Sequence, residues 1–108
     1  MSGKVLPFRG RTGAPEEMSD EALVAAIGAG DSAALAALFD RHHQGVHRFL
    51  SRMSGVDGTD ADDLLQETFL VVFESARRFR GDSPVKMWLF GIAANVARRS
   101  VRDRKSVV

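Results

Sequence analysis

The chain has 108 residues, 44% apolar and 27% charged: enough for one modest core, too short for two domains, and balanced like a globular protein rather than a disordered one. It lacks cysteine, which excludes disulfides and thiolate metal sites. No apolar run approaches the roughly 20 residues of a membrane helix, so no membrane insertion is expected and the expected location is the cytoplasm.

The formal net charge is only +1, but it is unevenly spread. Residues 57–76 hold Asp57, Asp60, Asp62, Asp63, Glu67 and Glu74 with no lysine or arginine. Residues 77–105 hold Arg77, Arg78, Arg80, Lys86, Arg98, Arg99, Arg102, Arg104 and Lys105 against Asp82 and Asp103. The split suggests two different partners, the basic half facing a polyanion; two solvated faces that offset one another would give the same pattern.

Residues 1–18 are rich in Gly, Pro and charge without apolar periodicity and read as a flexible leader. Ser19 is an N-cap for a short helix to about Ala29 that buries Leu23, Ala26 and Ile27, and Gly28 and Gly30 break it. Asp31 caps a second helix to about Met53, in which Leu35, Leu38, Phe39, His42, Val46, Phe49, Leu50 and Met53 recur at helical spacing. Ser54–Gly58 reads as a loop. Thr59 or Asp60 opens a third helix, whose first-turn acids suit the positive end of the helix dipole. Leu65, Phe69, Val72 and Ala76 share one face of it. Leu64, Leu70, Val71 and Phe73 widen that face until it nearly wraps round, which predicts that the third helix is the central one. After the connector Phe79-Arg80-Gly81-Asp82, Ser83 and Pro84 start a fourth helix with proline at its first position. This helix buries Val85, Trp88, Leu89, Ile92 and Val96 and shows Lys86, Asn95, Arg98, Arg99 and Arg102 on its other side. With no strand-like alternation and no internal repeat, the expected fold is all-α, a compact bundle of three to four helices.

His42, His43 and His47 raise the question of a metal, since His43 and His47 share a helix face. No neighbouring acids or cysteines complete a ligand set, and His42 falls on the buried row, so structural roles are expected and no metal or other cofactor. No nucleophile with its base, phosphate-cradling glycine loop or catalytic acid pair is recognisable, which points away from an enzyme.

Three stretches, in this order, resemble a known family. Asp62-Asp63-Leu64-Leu65-Gln66-Glu67-Thr68-Phe69 looks like the polymerase-binding segment of region 2 in bacterial sigma factors. Phe79-Arg80-Gly81-Asp82-Ser83 with Trp88-Leu89-Phe90-Gly91-Ile92-Ala93-Ala94-Asn95 resembles the promoter-reading loop and helix of their extracytoplasmic-function (ECF) group. Gly30-Asp31-Ser32-Ala33-Ala34-Leu35 with Leu38-Phe39-Asp40 is similar to the opening of that domain. The resemblance covers about residues 19–105, leaving 1–18 as leader and 106–108 as a truncated linker. Full-length members carry a second helical domain, region 4, which reads the −35 element. The chain stops at Val108, before any such domain, and is expected to be a fragment or a single-domain member.

The resemblance implies a promoter-specificity domain with two faces. Asp62, Asp63, Gln66 and Glu67 would meet the clamp helices of the largest subunit of core RNA polymerase. Phe79, Asp82, Ser83 and Asn95 would form a pocket for a base turned out of the −10 promoter element, with Arg80 beside it, while Lys86, Arg98, Arg99 and Arg102 grip phosphates. An anti-sigma factor covering both faces is a further implied partner. The chemistry is consistent: holding an unpaired strand needs aromatic surfaces for the bases and cations for the backbone. Competing readings stay open. Phe79 also continues the apolar row of the third helix, Ser83 serves as a cap, and the acids of the third helix complement its dipole. Trp88 reads mainly as core supporting the loop, and Val85-Lys86-Met87, where relatives often differ, leaves the base preference open. Two other functions compete: a helical protein-interaction module with no sequence-specific DNA recognition, and a helical bundle reading duplex grooves.

Overall fold

The computed structural model describes residues 14–54 and 58–107. Residues 1–13 of the expected leader and most of the expected loop between the second and third helices lie outside these. The elements are a 3₁₀ turn at Pro15–Glu17, α1 (Asp20–Gly28), α2 (Ser32–Ser54), α3 (Gly58–Ser75), a 3₁₀ turn at Ala76–Arg78, and α4 (Val85–Val107). Among the described residues there is no strand, and no helix is long and apolar enough to cross a membrane.

The helix ends follow local chemistry. Ser19 Oγ accepts the Ala22 N–H at 3.1 Å, as an N-cap should. At the other end of α1, Gly30 takes φ +97°, a conformation only glycine adopts cheaply. Its N–H donates to the Ile27 carbonyl at 2.9 Å, and the Asp31 N–H donates to the Ala26 carbonyl at 3.0 Å. This pair of bonds is the Schellman closure. Asp31 then caps α2, its Oδ1 accepting from Ala33 at 2.9 Å and Ala34 at 3.2 Å. One helix closes and the next opens within three residues, which folds α1 back against α2. Gly28 has a second reason to be glycine, since a Cβ there would lie 3.2 Å from Arg77 Cα. The end of α1 approaches the Ala76–Arg78 turn that closely.

Pro84 differs by one position from the expectation. Trp88 N–H donates to the Pro84 carbonyl at 3.1 Å, so Pro84 occupies the N-cap and Val85 is the first helical residue. α3 begins at Gly58, just ahead of the expected Thr59 or Asp60, and α4 runs past the expected domain end at residue 105 to Val107. The folded part also starts earlier than Ser19. Arg41 donates to the Glu16 carbonyl at 3.0 Å and pairs with Asp20 at 2.8 Å, and Met18 packs on the core. Pro15–Met18, which the sequence reading placed in the leader, thus belong to the folded part, because a guanidinium of α2 holds the turn.

The core is a single apolar cluster in which Leu23, Ile27, Leu38, Val46, Leu50, Val72, Val85, Leu89 and Val96 are essentially inaccessible. α2 packs against each of the other three helices and the N-terminal turn, and α3 also packs against each of the other helices and the Ala76–Arg78 turn, so the two share the centre of the bundle. The wrapped apolar surface expected of α3 is corrected: Leu70 is 63% and Phe73 46% exposed. At about 100° per residue, Leu70 lies nearly opposite the buried row of Ala61, Leu65, Phe69 and Val72, and Phe73 lies on its flank. Among the described residues the buried polar position is Thr68, whose Oγ1 donates to the Leu64 carbonyl at 2.7 Å and so needs no outside partner. Met53, expected on the buried row of α2, is 38% exposed; it sits at the helix end, beyond the reach of the core.

Candidate nucleic-acid interface

α3 ends where Ser75 Oγ donates to the Val71 carbonyl at 2.5 Å and the backbone tightens into the Ala76–Arg78 turn. The Phe79 N–H closes that turn on the Ala76 carbonyl at 3.2 Å. The chain then crosses to α4 through Arg80, Gly81, Asp82, Ser83 and Pro84, all exposed. Gly81 takes φ +81°, the left-handed step that lets so short a crossing reverse direction.

Phe79 is half-buried, and its ring rests on Trp88 with centroids 4.8 Å apart and planes tilted by 52°. The two expectations for this ring meet in one position: its inner part rests on the core cluster and its outer part walls a hollow. That hollow, about 250 Å³, is lined by Arg78, Phe79, Arg80, Asp82, Ser83 and Trp88. It is smaller than the about 300–1,000 Å³ of small-molecule pockets, a size for one planar group. Its chemistry is an aromatic wall, a hydroxyl, a carboxylate and two guanidiniums. Sequence reasoning named Phe79, Arg80, Asp82 and Ser83 and missed Arg78 as a lining residue. Trp88, read mainly as core, is half-buried and forms the floor as well as the brace.

The remaining expected DNA-binding residues lie along α4. Asn95 is exposed and does not line the hollow. It follows Trp88 by two turns on the same side of the helix, about 10 Å along the axis. Its Oδ1 accepts a hydrogen bond from the Arg98 guanidinium. Arg98, Arg99 and Arg102 are exposed and continue this side of the helix. Arg99 Nη1 also lies 3.6 Å from Glu67 Oε2 of α3. Lys86 departs from the group. Its Nζ stands 6.0 Å from the centre of the Phe90 ring, which packs on Phe49 of α2 at 4.9 Å. Helical geometry puts that flank nearly opposite Trp88, so Lys86 does not share the face of Asn95 and Arg99.

On α3, Asp62, Asp63, Gln66 and Glu67 are all exposed. Asp62 Oδ1 pairs with His47 Nε2 of α2 at 2.9 Å, and Glu67 pairs with Arg99. The same exposed row continues through Leu70 and Phe73, two large apolar side chains that sequence reasoning assigned to the core. Their period relative to Asp63 and Gln66 was the available signal.

The three histidines have protein partners. His42 Nε2 meets Asp20 Oδ2 at 2.9 Å. His43 stacks on Phe39 at 4.9 Å, with Nδ1 3.0 Å from the Phe39 carbonyl oxygen. His47 holds Asp62. Among the described residues no cluster of three or more His, Asp or Glu could hold a metal.

The family described as Sigma-70 region 2 matches residues 38–107. The ECF RNA polymerase sigma factor SigM of Mycobacterium tuberculosis is 40% identical over 94 residues, 87% of this chain and 47% of the relative. The RNA polymerase sigma factor CarQ of Myxococcus xanthus is 44% identical over 70 residues, 65% of this chain and 40% of the relative. The chain spans about half the length of the curated relatives it matches. Among solved structures, an engineered region 2 of sigmaE in complex with GTAAAA superposes with a TM-score of 0.77 at 27% identity, over 86% of this chain and 96% of that one. CnrH in complex with the cytosolic domain of CnrY gives a TM-score of 0.66 at 32% identity, over 74% of this chain and 51% of that one. The chain thus belongs to the sigma-70 region 2 family, in the ECF group of bacterial sigma factors.

Proposed function

We propose that the chain directs promoter-specific transcription initiation, binding core RNA polymerase through α3 and an unpaired −10 strand through the loop and outer side of α4. The observation that carries the reading is the Phe79–Trp88 hollow, edged by arginines, in a fold shared with a region 2 that is in complex with GTAAAA. A flipped base would stack against Phe79 and reach Asp82 or Ser83. Asn95 would read an edge of another nucleotide further along the strand, and Arg98, Arg99 and Arg102 would follow the phosphates.

The polymerase face is the row Asp62, Asp63, Gln66 and Glu67, extended by Leu70 and Phe73. Acidic and amide groups give register and encounter rate, while exposed apolar side chains supply the desolvation that holds a complex together. The polymerase supplies the chemistry; this chain is a specificity component working in the cytoplasm. An anti-sigma partner fits the same reading, since the related CnrH is in complex with the cytosolic domain of CnrY.

The test is selection from single strands carrying a randomised hexamer, repeated across a salt series. Enrichment of defined bases, lost in Phe79→Ala and Asn95→Ala, supports the proposal. Salt-dependent binding without base preference would reduce the arginines to a generic basic patch and favour a protein-interaction module.

A further inference from the structure

Gly28, the last residue of α1, meets the turn that leads into the base-capturing loop. A Cβ on Gly28 would lie 3.2 Å from both Arg77 Cα and Arg77 Cγ, and 3.3 Å from Arg77 N. Those distances are below the about 3.5–4.0 Å at which carbon atoms pack, and two of the three atoms are backbone. A side chain at this position would therefore push one of the two elements aside by a few tenths of an ångström. Of the two, α1 is the firmer. Its Leu23, Val24 and Ile27 are sealed in the core. Its end is closed by the N–H bonds of Gly30 and Asp31 just before Asp31 caps α2. The turn is held by buried Ala76 and by the Phe79 N–H bond to the Ala76 carbonyl, and residues 80–84 beyond it are all exposed. Arg78 and Phe79, which line the Phe79–Trp88 hollow, follow Arg77 directly.

We infer that Gly28 is a positioning residue for base capture: having no side chain, it lets the turn seat against the end of α1, and that seat sets where Phe79 stands relative to Trp88. Gly28 lines a different hollow, with Phe73, Glu74 and Arg77, so its effect passes through the Arg77 backbone and not through contact with DNA. Binding groups work when held within about 0.5 Å of their geometry, and a hollow of about 250 Å³ leaves a planar base little slack. The inference rests on the proposed capture of a base beside Phe79 and goes beyond it by giving α1 a part in that capture.

The selected hexamer strand is compared with copies that carry an abasic site at each position in turn. The capture position is the one where base removal and Phe79→Ala weaken binding without adding to one another. Removing that base should cost the parent chain about five- to hundredfold in affinity. In Gly28→Ala this ratio should shrink by at least about threefold, because the intact strand binds more weakly while the abasic strand binds as before. The salt slope set by the arginines should not change. A partly unfolded fraction weakens both strands by one factor and drops out of the ratio. Ala25→Gly, at an exposed position of the same helix, lowers helix stability and should leave the ratio intact. Should Gly28→Ala fail to fold, Gly28→Ala with Arg77→Ala, which removes the Cγ approach, is compared with Arg77→Ala alone, and the same shrinkage is expected. The inference is overturned if Gly28→Ala weakens both strands alike or neither, or if Ala25→Gly shrinks the ratio as much. If no position of the strand is coupled to Phe79→Ala in the parent, base capture itself falls and the inference falls with it.

Discussion

The Phe79–Trp88 contact makes the sharpest prediction, because one pair of rings both closes the core and shapes the proposed base pocket. The perturbation is a double-mutant cycle of Phe79→Ala, Trp88→Ala and the double variant. Fully buried aromatic residues lose about 3–5 kcal/mol on truncation to alanine. Both rings are half-buried, so about 2 kcal/mol each is expected. Centroids 4.8 Å apart with a 52° tilt fall in the range where an aromatic pair contributes about 0.5–1.5 kcal/mol beyond its buried area. The double variant should therefore be less destabilised than the sum of the singles by about 1 kcal/mol. Urea denaturation followed by far-ultraviolet circular dichroism measures this without needing the tryptophan signal. Coupling below about 0.3 kcal/mol, the scatter of independent sites, would refute the idea that one ring braces the other. Phe79→Leu separates the two roles. It should keep most of the stability while single-strand affinity falls by the about 1–3 kcal/mol of a lost base stack.

Leu38 on α2 is wholly inaccessible, and Leu38→Ala should cost about 2–5 kcal/mol in the same denaturation assay. Asp20 holds Arg41 at 2.8 Å and His42 at 2.9 Å. A cycle of Asp20→Ala with Arg41→Ala should give a coupling of about 1 kcal/mol that shrinks with added salt, together with faster proteolysis near Glu16. Leu70→Lys and Phe73→Ser should leave stability within about 0.5 kcal/mol, as surface substitutions do. The same two variants should weaken capture of core polymerase at least tenfold in a pull-down or anisotropy titration, as central interface side chains do at about 1–2 kcal/mol or more each.

What the sequence made legible was whatever depends on local chemistry. Ser19 and Asp31 cap, Gly30 closes and the helical rows of α1 and α2 bury, because each choice is decided within a few residues. Reading the apolar surface of α3 as wrapped round failed because apolar residues on several sides of a helix do not say whether the outermost are covered. Leu70 and Phe73 stay exposed because the other helices pack on the side of α3 that carries Ala61, Leu65, Phe69 and Val72. The loop residues of the hollow were readable from their motif. Its floor was not, since Trp88 falls at helical spacing with the core and only tertiary packing decides how much of an amphipathic ring is left open. The internal pairs Arg98–Asn95, Arg99–Glu67 and His47–Asp62 were likewise hidden. A helix i,i+3 contact is allowed by many spacings, and cross-helix pairs depend on how the helices are rotated. The Arg41 clamp on Glu16 spans 25 residues and left no local mark.

An unpaired base entering the hollow would lie beside Trp88, which is the single tryptophan of the chain and reports on that hollow directly. Its emission should be followed as the hexamer strand enriched in selection is titrated in, with binding measured in parallel by the anisotropy of the labelled strand. Base capture in the hollow should give saturable quenching that tracks the anisotropy, is absent with a scrambled strand, and is much reduced in Phe79→Leu. Saturated binding with unchanged Trp88 emission would contradict it, because the strand would then lie elsewhere on the protein.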